Sequence, residues 1–170
     1  AVFLVVPLVF IVTVGEIDLS FPAVMGFACW IFALLVQAGF DPFIGLIAAI
    51  AVGVALGTAI GAIVVYGGLS PLVATLGMSF LIRGAILIAT GGKSIAMTGM
   101  RDTLAYQVMS SSFYGFPVQM LWALVFVAIA VILYNRHKFG ARVKIVGDNP
   151  DSAAQMGIDT KRIRVYTFAF

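Results

Sequence analysis

Long unbroken runs of apolar residues dominate this chain, separated by two short turns and two longer polar segments. An α-helix rises 1.5 Å per residue, so about 20 apolar residues cross the hydrocarbon core of a bilayer. No charged residue occurs before Glu16 or between Phe43 and Ile82. The pattern predicts a partial membrane span at 1–14, full spans at 22–38, 43–66, 72–90 and 118–134, and a last span that starts near 165.

The composition supports a membrane-embedded fold. Apolar residues make up 62% of the 170 residues and charged residues only 10%, whereas roughly 25% of a typical soluble domain is charged. We therefore predict an all-α fold, a polytopic transmembrane bundle of about five to six spans that forms one domain over residues 1–170. Both ends lie in apolar runs, so we expect the chain to be truncated at each end.

Positive charge is concentrated in one polar segment. Seven of the ten Lys and Arg residues lie in 135–164. We predict that this segment is a cytoplasmic loop, because positively charged loops stay on the cytoplasmic side of a membrane. Counting spans back from there places the other polar segment, 91–117, on the extracytoplasmic side, where Lys93 and Arg101 are its cations. The basic segment lacks organised stacking aromatics, so we do not expect it to bind nucleic acid.

The sequence contains no arrangement typical of a soluble enzyme. The single Cys29 lies in an apolar run and the single His137 in the basic segment, with no Walker-type loop or catalytic serine motif. We therefore expect no catalytic residues, metal or cofactor in this chain. Any energy source then resides on another polypeptide.

The span 43–66 carries a small residue at every fourth position. Such a series makes one side of a helix smooth and lets another backbone approach closely. We predict close helix packing at these five positions: Gly45, Ala49, Gly53, Gly57 and Gly61.

A polar segment, Gly15–Ser20, interrupts the first two apolar runs. One interpretation is a broken helix whose polar groups Glu16, Asp18 and Ser20 line a translocation path, because buried acids face a cavity or a partner. The other is that Ser20 or Asp18 caps the next helix, which Pro22 opens.

Arg83 is the only charge in the span 72–90 and a further candidate for the translocation path. Its guanidinium needs acceptors if it is buried, and Glu16 or Asp18 could supply them. Alternatively, its long side chain extends to the outer membrane interface.

The basic segment encodes a short helix at about 150–156. Asn149 suits the N-cap, Pro150 the first helical position, and Gly157 the C-terminal break. An isolated helix of two turns is marginally stable, so it docks either on a partner or on its own protein. Its small apolar surface consists of Ala153, Ala154 and Met156.

Three segments of this chain resemble the permease subunits of bacterial ABC importers for ribose, xylose and related monosaccharides, a family that includes autoinducer-2 permeases. The segments are Gly15-Glu16-Ile17-Asp18-Leu19-Ser20; Pro71 through Gly92, with Ala74-Thr75-Leu76-Gly77-Met78, Arg83-Gly84 and Thr90-Gly91-Gly92; and Gly140 with Gly147-Asp148-Asn149-Pro150 and Ala153-Ala154 through Gly157-Ile158. Glu16 departs from the Gly or Ser common in the family, and Phe21-Pro22 from its Val-Gly.

The resemblance implies a type II-like permease in the bacterial inner membrane. It implies a second permease subunit, two cytosolic ATPase subunits that bind ATP and Mg, and a periplasmic or lipid-anchored protein that delivers a small sugar. The helix at 150–156 is then the coupling helix that contacts an ATPase through Asn149–Gly157. The alternatives are a permease for branched-chain amino acids or nucleosides, and a secondary transporter driven by an ion gradient.

Overall fold

The computed structural model of this chain describes residues 2–97, 100, 103–113 and 115–170. Arg101, which we counted with the outer polar segment, lies outside the described residues. The elements in chain order are α1 (Val2–Thr13), α2 (Phe21–Gln37), α3 (Pro42–Gly67), α4 (Pro71–Thr90), α5 (Leu104–Ser110), β1 (Ser112–Phe113), β2 (Phe116–Pro117), α6 (Val118–Asn135), α7 (Lys138–Asp148), α8 (Pro150–Gln155) and α9 (Thr160–Ala169).

Helices occupy each apolar run at nearly the predicted positions. Among the described residues, α3, α4 and α6 are long and apolar enough to cross a membrane, and α1 and α2 are shorter apolar helices. The predicted helical bundle is therefore present, while the predicted number of about five to six spans remains a prediction.

Local signals set the ends of α3 and α4. Asp41 Oδ1 accepts a hydrogen bond from the N–H of Phe43 at 2.8 Å and so caps α3. Gly68 ends α3 with a positive φ of 65°, and Pro71 begins α4 three residues later. These short turns place α2, α3 and α4 side by side, and α3 also packs against α9.

The small-residue series on α3 serves two interfaces rather than the single smooth face that we predicted. Gly45 lies against Phe32 of α2, whereas Gly57 and Gly61 lie against Phe168 of α9. Positions four apart drift by about 40° around a helix of 3.6 residues per turn, so the series turns by about 160° over its length. Its two ends therefore contact different neighbours.

The segment 135–164 is mostly helical rather than a loop. The helix α7 is amphipathic, with Val143 and Val146 fully buried among residues of α1, α6, α8 and α9. The last helix begins at Thr160 instead of near 165, because Asp159 Oδ1 accepts the N–H of Arg162 at 3.0 Å and caps it. Apolar runs alone do not reveal these helices, since charged residues cover their exposed sides.

Candidate functional site

A break in the helical backbone separates α1 from α2. Gly15 adopts a positive φ of 81°. Its N–H bonds to the carbonyl of Val12 at 3.0 Å, and the N–H of Glu16 bonds to the carbonyl of Ile11 at 3.1 Å. This pattern satisfies the last carbonyls of α1. The chain then stays non-helical until α2 begins.

The break is anchored to α4 inside the bundle. The N–H of Leu19 donates to Thr75 Oγ1 at 3.1 Å, and that hydroxyl donates to the carbonyl of Pro71 at 2.8 Å. Thr75 is fully buried and lies one turn, about 6 Å, inside the start of α4. The break is therefore fixed to the first turn of α4, while the side chain of Leu19 itself is 39% exposed.

Asp18 and Ser20 form a tight turn at the start of α2. Asp18 Oδ1 accepts two hydrogen bonds from Ser20, one from its backbone N–H at 2.6 Å and one from its side-chain hydroxyl at 2.5 Å. Ser20 occupies the N-cap position, but its side chain makes no capping bond. The predicted cap by Ser20 is therefore absent. The negative charge of Asp18 instead lies near the positive end of the α2 dipole.

A cavity of about 420 Å³ lies between α1, α2, α3 and α9. Its walls are largely apolar, and Asp18 is the acidic residue among those that line it. Three members of the small-residue series, Ala49, Gly53 and Gly57, also line it. In the part of the chain that the structure describes, no group of three or more His, Cys, Asp or Glu side chains is arranged to hold a metal ion.

Glu16 forms an ion pair with Arg164 of α9. Glu16 is 3% exposed, and both Nε and Nη2 of Arg164 contact its Oε1 atom. The other carboxylate oxygen, Oε2, is buried without a hydrogen-bond partner among the described residues. Sequence reasoning missed Arg164, because the two residues are 148 positions apart and Arg164 is one of several cations in its segment.

Arg83 lies elsewhere, so its hypothesised pairing with Glu16 or Asp18 is wrong. It is exposed and lines an open cleft of about 600 Å³ with Trp30, Lys93 and residues of the segment after α4. Its position is compatible with the other interpretation, in which the side chain extends to the membrane interface.

The helix α8 occupies the positions where a short capped helix was predicted. Asn149 Oδ1 accepts the N–H of Ser152 at 3.0 Å, and Gly157 has a positive φ of 76°. Ala153 is fully buried and packs on α7 and α9, whereas Met156 is 68% exposed. Ala154 is also exposed. One side of α8 therefore packs on its own protein, and the other is free to meet a partner.

Comparison with known proteins identifies the family. A family model described as "Branched-chain amino acid transport system / permease component" matches residues 1–170. The D-allose transport system permease protein AlsC of Escherichia coli is 33% identical over 153 residues, which are 89% of this chain and 46% of that protein. No solved structure matches significantly.

Two further relatives are permeases of importers. The ribose import permease protein RbsC of Bacillus subtilis is 28% identical over 161 residues, 94% of this chain and 49% of that protein. The autoinducer 2 import system permease protein LsrC of Yersinia enterocolitica is 32% identical over 154 residues, 91% of this chain and 42% of that protein. The chain spans less than half the length of these curated relatives. With a family model that matches its whole length, this chain is an integral membrane protein that belongs to the branched-chain amino acid transport system / permease component family.

Proposed function

We propose that this chain forms part of the translocation path of an ATP-binding cassette importer for a monosaccharide or a similar small polyol. The relatives named for D-allose and ribose support a sugar, although the description of the family names branched-chain amino acids. ATP and Mg would be bound by separate ATPase subunits, and this chain would carry no cofactor.

The observation that carries this proposal is the position of Asp18 on the cavity wall. Its hydrogen bonds within the described residues use Oδ1, so Oδ2 is available to accept a hydroxyl of a substrate in the cavity. A carboxylate accepts hydrogen bonds from hydroxyl groups and repels other carboxylates. None of the described residues that line the cavity is a Lys or Arg. The carboxylate of an amino acid would therefore find no cation there, whereas the hydroxyls of a neutral polyol can donate to Asp18.

The distribution of charge supports an orientation for the chain. Residues 135–164 would face the cytoplasm and 91–117 the opposite side of the bacterial inner membrane. The exposed side of α8, with Ala154 and Met156, would contact an ATPase subunit. A second permease subunit would complete the path, and a periplasmic or lipid-anchored binding protein would deliver the substrate.

In this proposal the permease works by alternating access. Closure of the ATPase pair would displace α8, and the helices attached to it would shift and open the cavity to the other side of the membrane. Binding energy on the ATPases thus drives a change in which side of the membrane the cavity contacts. The chain itself contributes the path and no chemical step.

The test uses the permease as its gene encodes it, reconstituted in vesicles with its ATPase and binding protein. We expect uptake of ribose- or allose-type sugars that requires ATP and persists when an ionophore abolishes ion gradients. Uptake that does not depend on ATP and stops when the ionophore is added would establish a secondary transporter instead. Uptake of leucine or adenosine without any sugar would overturn the sugar assignment.

A further inference from the structure

The helices on either side of α8 both reach the break between α1 and α2. On one side, α7 crosses the end of α1 at Gly147, where an added Cβ atom would overlap the carbonyl of Thr13. On the other side, Arg164 of α9 pairs with Glu16. Thr13 and Glu16 flank the start of the break, so the two contacts hold it from two directions.

The contact at Gly147 is close because this residue lacks a side chain. The hydroxyl of Thr13 also lies 3.2 Å from the hydroxyl of Tyr134 on α6, and the ammonium of Lys144 on α7 lies 4.1 Å from the centre of the Tyr134 ring. The end of α1 therefore contacts both α6 and α7. A displacement of α7 towards α1 would therefore push α1, since packed backbones have no free space between them.

The contact at Glu16 is an ion pair whose carboxylate is buried, whereas the side chain of Arg164 is 34% exposed. Removing Arg164 would leave a buried carboxylate without its counter-charge, which is strongly unfavourable. The Oε2 atom of Glu16 has no hydrogen-bond partner among the described residues. Within them, Arg164 is therefore the side chain that neutralises this carboxylate. Separating Glu16 from Arg164 would therefore be unfavourable, which favours movement of Glu16 together with α9.

The three helices α7, α8 and α9 form one packed unit. Ala153 of α8 is fully buried, in one cluster with Val143 and Val146 of α7 and Ile163 of α9. The same α9 continues to Thr167 and Phe168, which line the cavity. A push on α8 thus moves the neighbours that contact the break and one wall of the cavity.

We propose that two contacts transmit movement of α8 to the break beside Asp18. They are the Arg164–Glu16 ion pair and the close backbone contact between Gly147 and Thr13. Glu16 and Arg164 are then positioning residues, and neither needs to touch the substrate. This inference rests on the proposed function, because it takes α8 as the ATPase contact. It replaces the hypothesis that Glu16 lines the path.

The experiment measures sugar molecules imported per ATP hydrolysed by the reconstituted importer. We expect Glu16→Arg and Arg164→Glu each to lower this ratio about tenfold, within the range typical of coupling between two sites. The double exchange, which restores an ion pair of reversed polarity, should recover most of it. The matched control is Arg162→Gln, which removes a cation from the same helix. The exposed ion pair of Arg162 with Asp159 plays no part in the proposal.

If a single reversal prevents folding, the neutral pair Glu16→Gln with Arg164→Gln takes its place, because removing both charges leaves no buried charge unpaired. A low ratio in this folded variant supports the inference, as does a low ratio in Gly147→Ala. A normal ratio in the neutral pair, or no recovery in a folded double exchange, overturns it. Failure of the unmodified importer to take up sugar with ATP would overturn the proposed function instead.

Discussion

The backbone N–H of Leu19 donates a hydrogen bond to the hydroxyl of Thr75, 3.1 Å away on a neighbouring helix. Leu19 lies in a non-helical segment, and its N–H has no backbone acceptor among the described residues. An unsatisfied N–H inside a helical bundle is costly. The hydroxyl of Thr75 therefore holds the break between α1 and α2 in place.

We expect Thr75→Val to destabilise the protein by about 1–3 kcal/mol, because it leaves the N–H of Leu19 without an acceptor. Thermal unfolding in detergent measures the effect. Thr75→Ser should remain close to the unmodified protein, since it keeps the hydroxyl. The control is Thr58→Val, an exposed threonine on α3 whose hydroxyl bonds only to its own helix, at Val54. Equal losses in Thr75→Val and Thr58→Val would contradict a specific role for Thr75.

Gly57 should tolerate no side chain. A Cβ atom there would overlap the carbonyl of Phe168, so Gly57→Ala must push α9 away from α3, at a cost of about 1–3 kcal/mol. Gly53→Ala on the same helix is the control, because nothing lies within 4 Å of a Cβ atom at that position. The melting temperatures of the two purified variants test this prediction, and a loss at Gly53 as large as at Gly57 would refute it.

The two alanines of α8 should respond differently to a charge. Ala153→Glu places a carboxylate in the fully buried inner cluster, so we expect loss of the folded protein. Ala154→Glu lies on the exposed side, so the protein should insert normally while ATP hydrolysis becomes uncoupled from uptake.

Membrane yield and uptake separate these outcomes. Ala141→Glu, an exposed alanine on α7, is the control for added surface charge and should behave like the unmodified protein. Normal uptake by Ala154→Glu would remove α8 from the proposed ATPase contact.

Asp18→Asn should preserve the fold and weaken transport. The amide oxygen still accepts the N–H and the hydroxyl of Ser20, but the charge is lost. Hydrogen bonds to charged groups are stronger than neutral ones by about 1 kcal/mol or more, so we expect the substrate concentration for half-maximal uptake to rise roughly tenfold. Asp41→Asn, an exposed acid that caps α3, is the control. Unchanged uptake by Asp18→Asn would exclude a substrate contact at this carboxylate.

The positions of the long helices were predictable from the sequence. The prediction of 43–66 differs from α3 (Pro42–Gly67) by one residue at each end. Its accuracy has a local cause, since Asp41 and Gly68 mark the boundaries through their own backbone preferences. The break at Gly15–Ser20 was also visible locally, because acidic residues rarely lie inside a continuous apolar helix.

Two features of the basic segment needed more than apolar runs to be found. The helix α7 carries Lys and Arg on its exposed side, so the apolar runs predict a loop there. The early start of α9 has the same explanation, since Lys161 and Arg162 are exposed while Ile163 is buried. Helical periodicity, rather than mean apolarity, is the signal that applies to such segments.

The sequence by itself determined which residues form apolar helices, where the first two helices are interrupted, and which residues cap α8, because each depends on neighbours a few positions apart. Only the tertiary structure decided that Glu16 pairs with Arg164 rather than Arg83, and that the small-residue series meets α2 at one end and α9 at the other. An ion pair between residues 148 positions apart has no local signature. It depends on which helices pack side by side, and that follows from the three-dimensional path of the whole chain.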